Sequence, residues 1–451
     1  MRPAAICLLL LLPAQLGAQN RYPDILFLVA DDLGWNDVGW HNDKIRTPRL
    51  DTLVKSGIEL DWHYVQPQCT PTRVALLTGN YPSRFGPHCT VASNEQAIPF
   101  HTRTLPKLLK TRNYRCGLFG KWHLGSLPKW GPNKFGFDYS YGSLAGACGI
   151  WDHRYRLNRP AYSTTWHRNH EFVTEEGHSL ELCTDEAIRW VKAQPSGDPL
   201  FCYMPYHAVH TPLAEKDRTW FERNKHFEDP DRRHFAAYVS HLDDAIGRLV
   251  EVFKETKRYD NTIIVFTSDN GGVEGGYNGG AYPKPDPKLK PGFSSNKPLR
   301  GGKSTSYEGG IRVPAFVHWK KRLDPGKCEL TMHAVDWLPT LLEWAEVRPK
   351  PELVVDGRQM AGNLQAGRLP SRPRTIYTTW NRGRQVGLRH GDWKIRSDGP
   401  GKSNFKAFTW ELYNLKGDPQ ETSNLAGQNL EKLKELVAIF ESERGRDGKL
   451  K

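Results

Sequence analysis

Four short runs, apolar almost throughout, constrain the fold more than any other feature of the chain: Asp24–Ala30, Cys116–Gly120, Leu200–Met204 and Thr262–Ser268. Each has the length of a strand and lacks a polar residue at every second position, so each reads as a strand buried on both faces. Between them, Thr47–Lys55, Leu180–Lys192 and Phe235–Phe253 carry apolar residues at helical spacing. Strands alternating with helices predict an α/β sheet covered on both sides. Chemistry in such sheets collects at the carboxyl ends of the strands. The first and fourth runs end directly in oxygen-bearing pairs, Asp31-Asp32 and Asp269-Asn270.

Beyond these runs the pattern changes. Residues 271–300 are rich in Gly, Pro, Lys and Asn and read as a long loop near the site, and a second Pro- and Gly-rich stretch covers 347–373. Short alternating segments follow at Thr375–Thr379, Gln385–Arg389, Trp393–Arg396 and Trp410–Tyr413, then a helical run at Leu430–Glu443. They predict a small antiparallel sheet with one helix. At 451 residues the chain has room for one large domain and a smaller one. The expected division is a catalytic domain over 19–350 and a C-terminal subdomain over 351–451.

Residues 1–18 read as a signal peptide, because Arg2 precedes the apolar run Ile6–Leu12 and the small residues Gly17 and Ala18 follow. The run is too short to span a bilayer, and no later stretch reaches the roughly 20 apolar residues that a spanning helix needs. An exported protein, periplasmic or secreted, is expected. The net charge of +13 is spread along the chain and comes with no nucleic-acid-binding signature, so a sulfated or otherwise acidic polymer is the expected partner rather than nucleic acid. Cys7 lies in the leader. Cys89, Cys116, Cys148, Cys183, Cys202 and Cys328 show no CxxC spacing, and Cys116 and Cys202, set in apolar runs, are expected as buried free thiols. The chain has no Asn-x-Ser/Thr site, which favours a bacterial envelope or secreted protein over a glycosylated lysosomal one.

Read from chemistry alone, Asp31, Asp32, Asp269 and the amide oxygen of Asn270 form an all-oxygen set suited to a hard cation, calcium before magnesium. The most specific motif is Cys69-Thr70-Pro71-Thr72-Arg73, followed by Leu77-Thr78-Gly79. It resembles the Cys-x-Pro-x-Arg signature of the type I sulfatases, in which a separate maturation enzyme oxidises the cysteine to formylglycine. The resemblance runs through Asp31-Asp32-Leu33-Gly34, Gly120–Gly125, His207–Pro212, Ser268–Gly272, Leu299–Lys303, Glu308–Pro314 and Asp336–Thr340 to Leu412–Leu415. Within the family, Lys121–Gly125 and His207–Pro212 look most like the arylsulfatase B branch, the N-acetylgalactosamine-4-sulfatases.

The resemblance implies an alkaline-phosphatase-like fold, a large mixed sheet flanked by helices with a smaller C-terminal antiparallel sheet plus helix. It implies a calcium site of Asp31, Asp32, Asp269, Asn270 and an oxygen of modified Cys69. Hydrated formylglycine 69 would attack the sulfur of a sulfate ester, a step that needs cations around its negative oxygens. Lys121 and Lys303 would contact those oxygens, and Arg73 would hold the nucleophile. His210 would protonate the leaving alcohol, and His123 would deprotonate the remaining hydroxyl so that sulfate is expelled. His207 is expected to be structural. The implied substrate is a sulfated saccharide such as N-acetylgalactosamine 4-sulfate of a glycosaminoglycan. Two other functions keep the same residues: a formylglycine-dependent phosphodiesterase or phosphonate monoester hydrolase, and a non-catalytic binder of sulfated glycan. Two segments, Pro87–Pro99 and Ala145–His170, match no sulfatase block and are expected to border the substrate cleft.

Overall fold

In strand Asp24–Ala30 the side chains of Ile25, Phe27 and Val29 enter one hydrophobic core, while Leu26, Leu28 and Ala30 enter another. The period-two geometry of a strand forces this split, and it explains why the run is apolar without interruption. A computed structural model describes residues 22–156, 160–274, 293–349, 351–399 and 408–450. Among these, ten strands form the main sheet. Asp24–Ala30 pairs in parallel with Leu200–Pro205 on one side and Thr262–Ser268 on the other, and Arg115–Lys121 extends the parallel set beyond Leu200–Pro205. Antiparallel pairings occur at Ala315–His318 and, toward the opposite edge, at Trp166–Arg168 and Glu171–Phe172, so the sheet is mixed as expected.

The register sets the site. Ala30 lies opposite Ser268, so the next residues of the two strands, Asp31 and Asp269, emerge side by side at one end of the sheet. Helices Pro48–Lys55, Ser179–Ala193 and Pro230–Glu255 cover one face, and Cys69–Thr78 with Trp337–Trp344 cover the other. Every residue of Cys69–Thr78 is buried, and Gly79, at φ 67°, ends it in the left-handed conformation that glycine adopts freely.

The C-terminal segments form a four-stranded antiparallel sheet of Thr375–Trp380, Gln385–His390, Trp393–Ser397 and Glu411–Asn414, with helix Leu430–Arg444 beside it. Its apolar residues Tyr377, Leu388, Ile395, Leu412, Leu436 and Phe440 belong to the same core as Val74 and Leu77 of the Cys69 helix. Buried Lys394 also bridges the parts, with Glu308 and Glu421 each 2.8 Å from its Nζ.

The expected leader, 1–18, lies outside the described residues, as does 275–292 of the expected long loop. No helix among the described residues is long and apolar enough to cross a membrane. The cysteines from Cys69 to Cys328 are free thiols; Cys116 and Cys202 are buried, as expected.

Candidate active site

Two strand ends and one helix start meet at the site. Asp31 and Asp32 continue one strand, Asp269 and Asn270 its neighbour, and Cys69 opens the buried helix facing them. Asp32 has φ 60° and His123 φ 55°. A non-glycine residue held in the left-handed region is strained, and such strain concentrates at functional sites. The backbone of Asp31 is fastened on both sides of its plane, its N–H donating to Ala208 O at 2.9 Å and its carbonyl accepting from Val209 N–H at 2.8 Å. The His207–Pro212 segment is thus stitched to the first strand end, which brings His210 over Asp32.

The charges interlock. Arg73 donates to Asp269 Oδ2 at 2.7 Å and to the carbonyl of Lys121 at 2.9 Å, and its guanidinium lies 3.5 Å from Asp31 Oδ2. Lys121 Nζ is 2.5 Å from Asp31 Oδ2, Lys303 Nζ is 2.6 Å from Asp32 Oδ1, and Asn270 Nδ2 donates to the same Asp32 oxygen at 2.7 Å. Burial pushes the carboxyls of Asp31 and Asp269 up, and each is raised further by a neighbouring carboxylate. For Asp32 burial acts the same way, but Lys303, His210 and Lys121 outweigh it and hold the carboxyl low.

Two oxygens in this cluster are buried without a hydrogen-bond partner, Asp31 Oδ1 and Asn270 Oδ1. Orphaned buried acceptors cost free energy unless something positive meets them. Asp31, Asp32, Asp269 and Asn270 present only oxygens to such a group, the donor chemistry of calcium or magnesium, and the residues therefore fit a hard divalent cation.

Above this layer a cavity of about 260 Å³ is lined by Cys69, His123, His210 and Lys303. His210 Nδ1–H donates to Thr211 O at 2.6 Å, which leaves Nε2 facing Asp32 Oδ2 at 3.6 Å. The carbonyl of His123 accepts from Thr70 Oγ1, and its ring lies against Gly146, where a Cβ would stand 2.2 Å from Nε2. Only glycine leaves room for the imidazole there. Lys303 is brought in by its own N–H, which donates to Gly272 O at 3.1 Å. Burial opposes its charge, but Asp32 and its neighbours outweigh this and keep the ammonium protonated.

All ten residues read from the sequence as catalytic or metal-binding therefore converge, though at different depths. Cys69, His123, His210 and Lys303 reach the cavity; Arg73 and Lys121 lie beneath it, bound to the carboxylates. His207 is buried and does not line the cavity. The cavity also holds residues that sequence reasoning did not single out: Gln68, Asn94, Tyr155 and Trp380. Asn94 and Tyr155 fall inside the two segments that match no sulfatase block, which was the available signal. Trp380 ends a strand of the small sheet and carried none.

A second cluster of ionisable groups, His178, Glu215 and His241, lies outside this site. His241 is clamped between Glu215 at 2.6 Å and Glu181 at 2.5 Å. His178 Nδ1 accepts from Leu180 N–H, so its own proton sits on Nε2, toward Glu215. With donors already aimed at both carboxylates the cluster is a closed ionic network.

The family model described as Sulfatase matches residues 23–347. The chain belongs to the sulfatase family. Mouse arylsulfatase J is 32% identical over 91% of this sulfatase and 74% of that protein. Human N-acetylgalactosamine-6-sulfatase is 31% identical, over 93% of this sulfatase and 79% of its own length. The crystal structure of Ps i-CgsB superimposes with a TM-score of 0.83 at 32% identity, covering 95% of this chain and 94% of that one. The same protein in complex with k-i-k-neocarrahexaose gives 0.82 at 30% identity. This sulfatase is a sulfuric ester hydrolase with the alkaline-phosphatase-like architecture expected for the family. The narrower likeness to arylsulfatase B finds no counterpart in these relatives.

Proposed function

We propose that this sulfatase removes sulfate from a sulfated saccharide, using a formylglycine made from Cys69 by a maturation enzyme and a calcium ion held by Asp31, Asp32, Asp269, Asn270 and residue 69. One observation carries the reading. Cys69 lies on the floor of a cavity that also receives two imidazoles and an ammonium, directly beside a buried all-oxygen donor set with two unsatisfied oxygens. The saccharide, N-acetylgalactosamine 4-sulfate of a glycosaminoglycan or a related sulfated polysaccharide unit, is supported by the carbohydrate named in the complex of Ps i-CgsB and by the sugar named for the human relative.

Hydrated formylglycine supplies an oxygen nucleophile and a second hydroxyl whose deprotonation releases sulfate. The cation supplies Lewis-acid stabilisation of negative oxygen. The chain's own residues do the rest. Lys303 faces the cavity as a fixed positive charge for the sulfate oxygens, in a water-poor setting where such charge acts strongly. Arg73 and Lys121, bonded to Asp269 and Asp31, hold those carboxylates in place and offset their mutual repulsion. His210, its Nδ1–H committed to Thr211 O, has only Nε2 free, and in the imidazolium form it would pass the Nε2 proton to the leaving oxygen. His123 Nε2, seated against Gly146, is the base for the second step. We further assign 19–350 as the catalytic domain, 351–451 as the subdomain, and an exported location for the mature enzyme.

Turnover of 4-nitrophenyl sulfate, an aryl phosphate diester and a panel of defined sulfated saccharides, together with the intact mass of the peptide containing residue 69, tests the proposal. Sulfate release from a saccharide by protein carrying the aldehyde is the expected result. Dominant phosphodiesterase activity, or full activity with an unmodified thiol, would overturn it.

A further inference from the structure

The cavity above Cys69 does not end the binding surface. Trp380 forms part of its wall from the end of strand Thr375–Trp380, and the preceding residue, Thr379, lines a second cleft of about 380 Å³. Successive side chains of a strand point to opposite faces, so the two clefts flank one strand end. The opposing wall repeats the arrangement, with Val91 in the first cleft and Thr90 in the second. Asn381 N–H donates to Thr90 O at 3.1 Å and ties the walls together. The hairpin turn at residues 381–384 is therefore the ridge between the clefts.

That ridge carries Arg382 and Arg384, both exposed, and among the described residues neither guanidinium has an acidic partner. Arg382 also holds φ 60°, a conformation a long side chain adopts only at a cost. Arg84, close to the second cleft, is by contrast neutralised by Asp356, Glu443 and Asp447. The uncompensated positive charge is thus at the ridge. A guanidinium is planar and presents paired N–H donors that match tetrahedral oxyanions.

We propose that this ridge and the second cleft bind a further sulfated residue of the polysaccharide whose target ester occupies the Cys69 cavity. The inference rests on the saccharide sulfatase reading above. Arg382 and Arg384 pair with the sulfate of the neighbouring unit, the second cleft receives that unit's ring, and the enzyme prefers an oligosaccharide to its own disaccharide.

The test measures affinity for disaccharides and hexasaccharides of carrageenan and of chondroitin 4- and 6-sulfate, on a Cys69→Ala background so that ligand is not consumed. Expected is a hexasaccharide bound about tenfold more tightly than the disaccharide of the same polymer, through simultaneous engagement of two sites. Arg382→Ala with Arg384→Ala should erase that preference, and Arg382→Lys with Arg384→Lys should restore part of it. In matured enzyme that lacks the Cys69→Ala change and carries the formylglycine, the alanine pair should leave kcat/KM for 4-nitrophenyl sulfate unchanged. Equal affinity for both lengths in all polymers, or a length preference that survives the alanine pair, would overturn the subsite. Failure of the matured wild type to hydrolyse any sulfate ester would instead strike the parent reading.

Discussion

Cys69 and Asp269 both stand in the proposed cation set, but only Cys69 is proposed as the nucleophile, so their substitutions weigh differently on chemistry and on stability. Cys69→Ala removes one buried sulfur at a helix start and leaves the ion pairs untouched. Its stability should change by about 1 kcal/mol while sulfate release is lost, measured by thermal unfolding beside an aryl sulfatase assay. Asp269→Asn removes the 2.7 Å partner of buried Arg73 and one of the proposed cation ligands together. Breaking a buried pair costs about 3–5 kcal/mol. Chelator-treated wild type should regain melting temperature and activity on addition of calcium, since a ligand that binds only the folded state stabilises it. Asp269→Asn should regain neither, and an equal calcium response in the variant would remove Asp269 from the ligand set.

At the scale of elements, two buried ionic clusters fasten parts that are distant in sequence. Lys394, on the small sheet, forms ion pairs with both Glu308 and Glu421. Lys394→Met would strip both buried carboxylates of their 2.8 Å ion-pair partner, and a loss of about 3–5 kcal/mol in urea unfolding is expected. His241 joins helix Pro230–Glu255 to Glu181 of helix Ser179–Ala193 and to Glu215. Burial disfavours its imidazolium, but the hydrogen bonds and charges of Glu181 and Glu215 outweigh this and raise the pKa to about 9. A raised cation pKa stabilises fully below the unfolded value of about 6.5 and ceases to do so as pH climbs through the folded one. The stability advantage of wild type over His241→Gln should therefore be on the order of 3 kcal/mol at pH 6 and shrink by pH 10. An advantage unchanged across that range would show that His241 is not charged in the fold.

For the whole molecule, the small sheet is not independent, because its apolar face completes the core beneath the Cys69 helix. Calorimetry of the intact chain should show one cooperative transition, and a chain ending at residue 349 should fail to fold. Two resolved transitions would mean the shared core does not couple the parts. How much of this was legible beforehand follows from range. Strand faces, helix stripes and the Cys69-Thr70-Pro71-Thr72-Arg73 motif are local patterns, and local backbone geometry suffices to turn them into buried strands, covering helices and a recognisable family. What only the tertiary structure decided is depth and neighbourhood. Lys121 turns down to Asp31 while Lys303 reaches the cavity, and Trp380 arrives at that same cavity from the far end of the chain. Such placements depend on strand register and on contacts between residues hundreds of positions apart, and one-dimensional order does not encode these by periodicity or spacing.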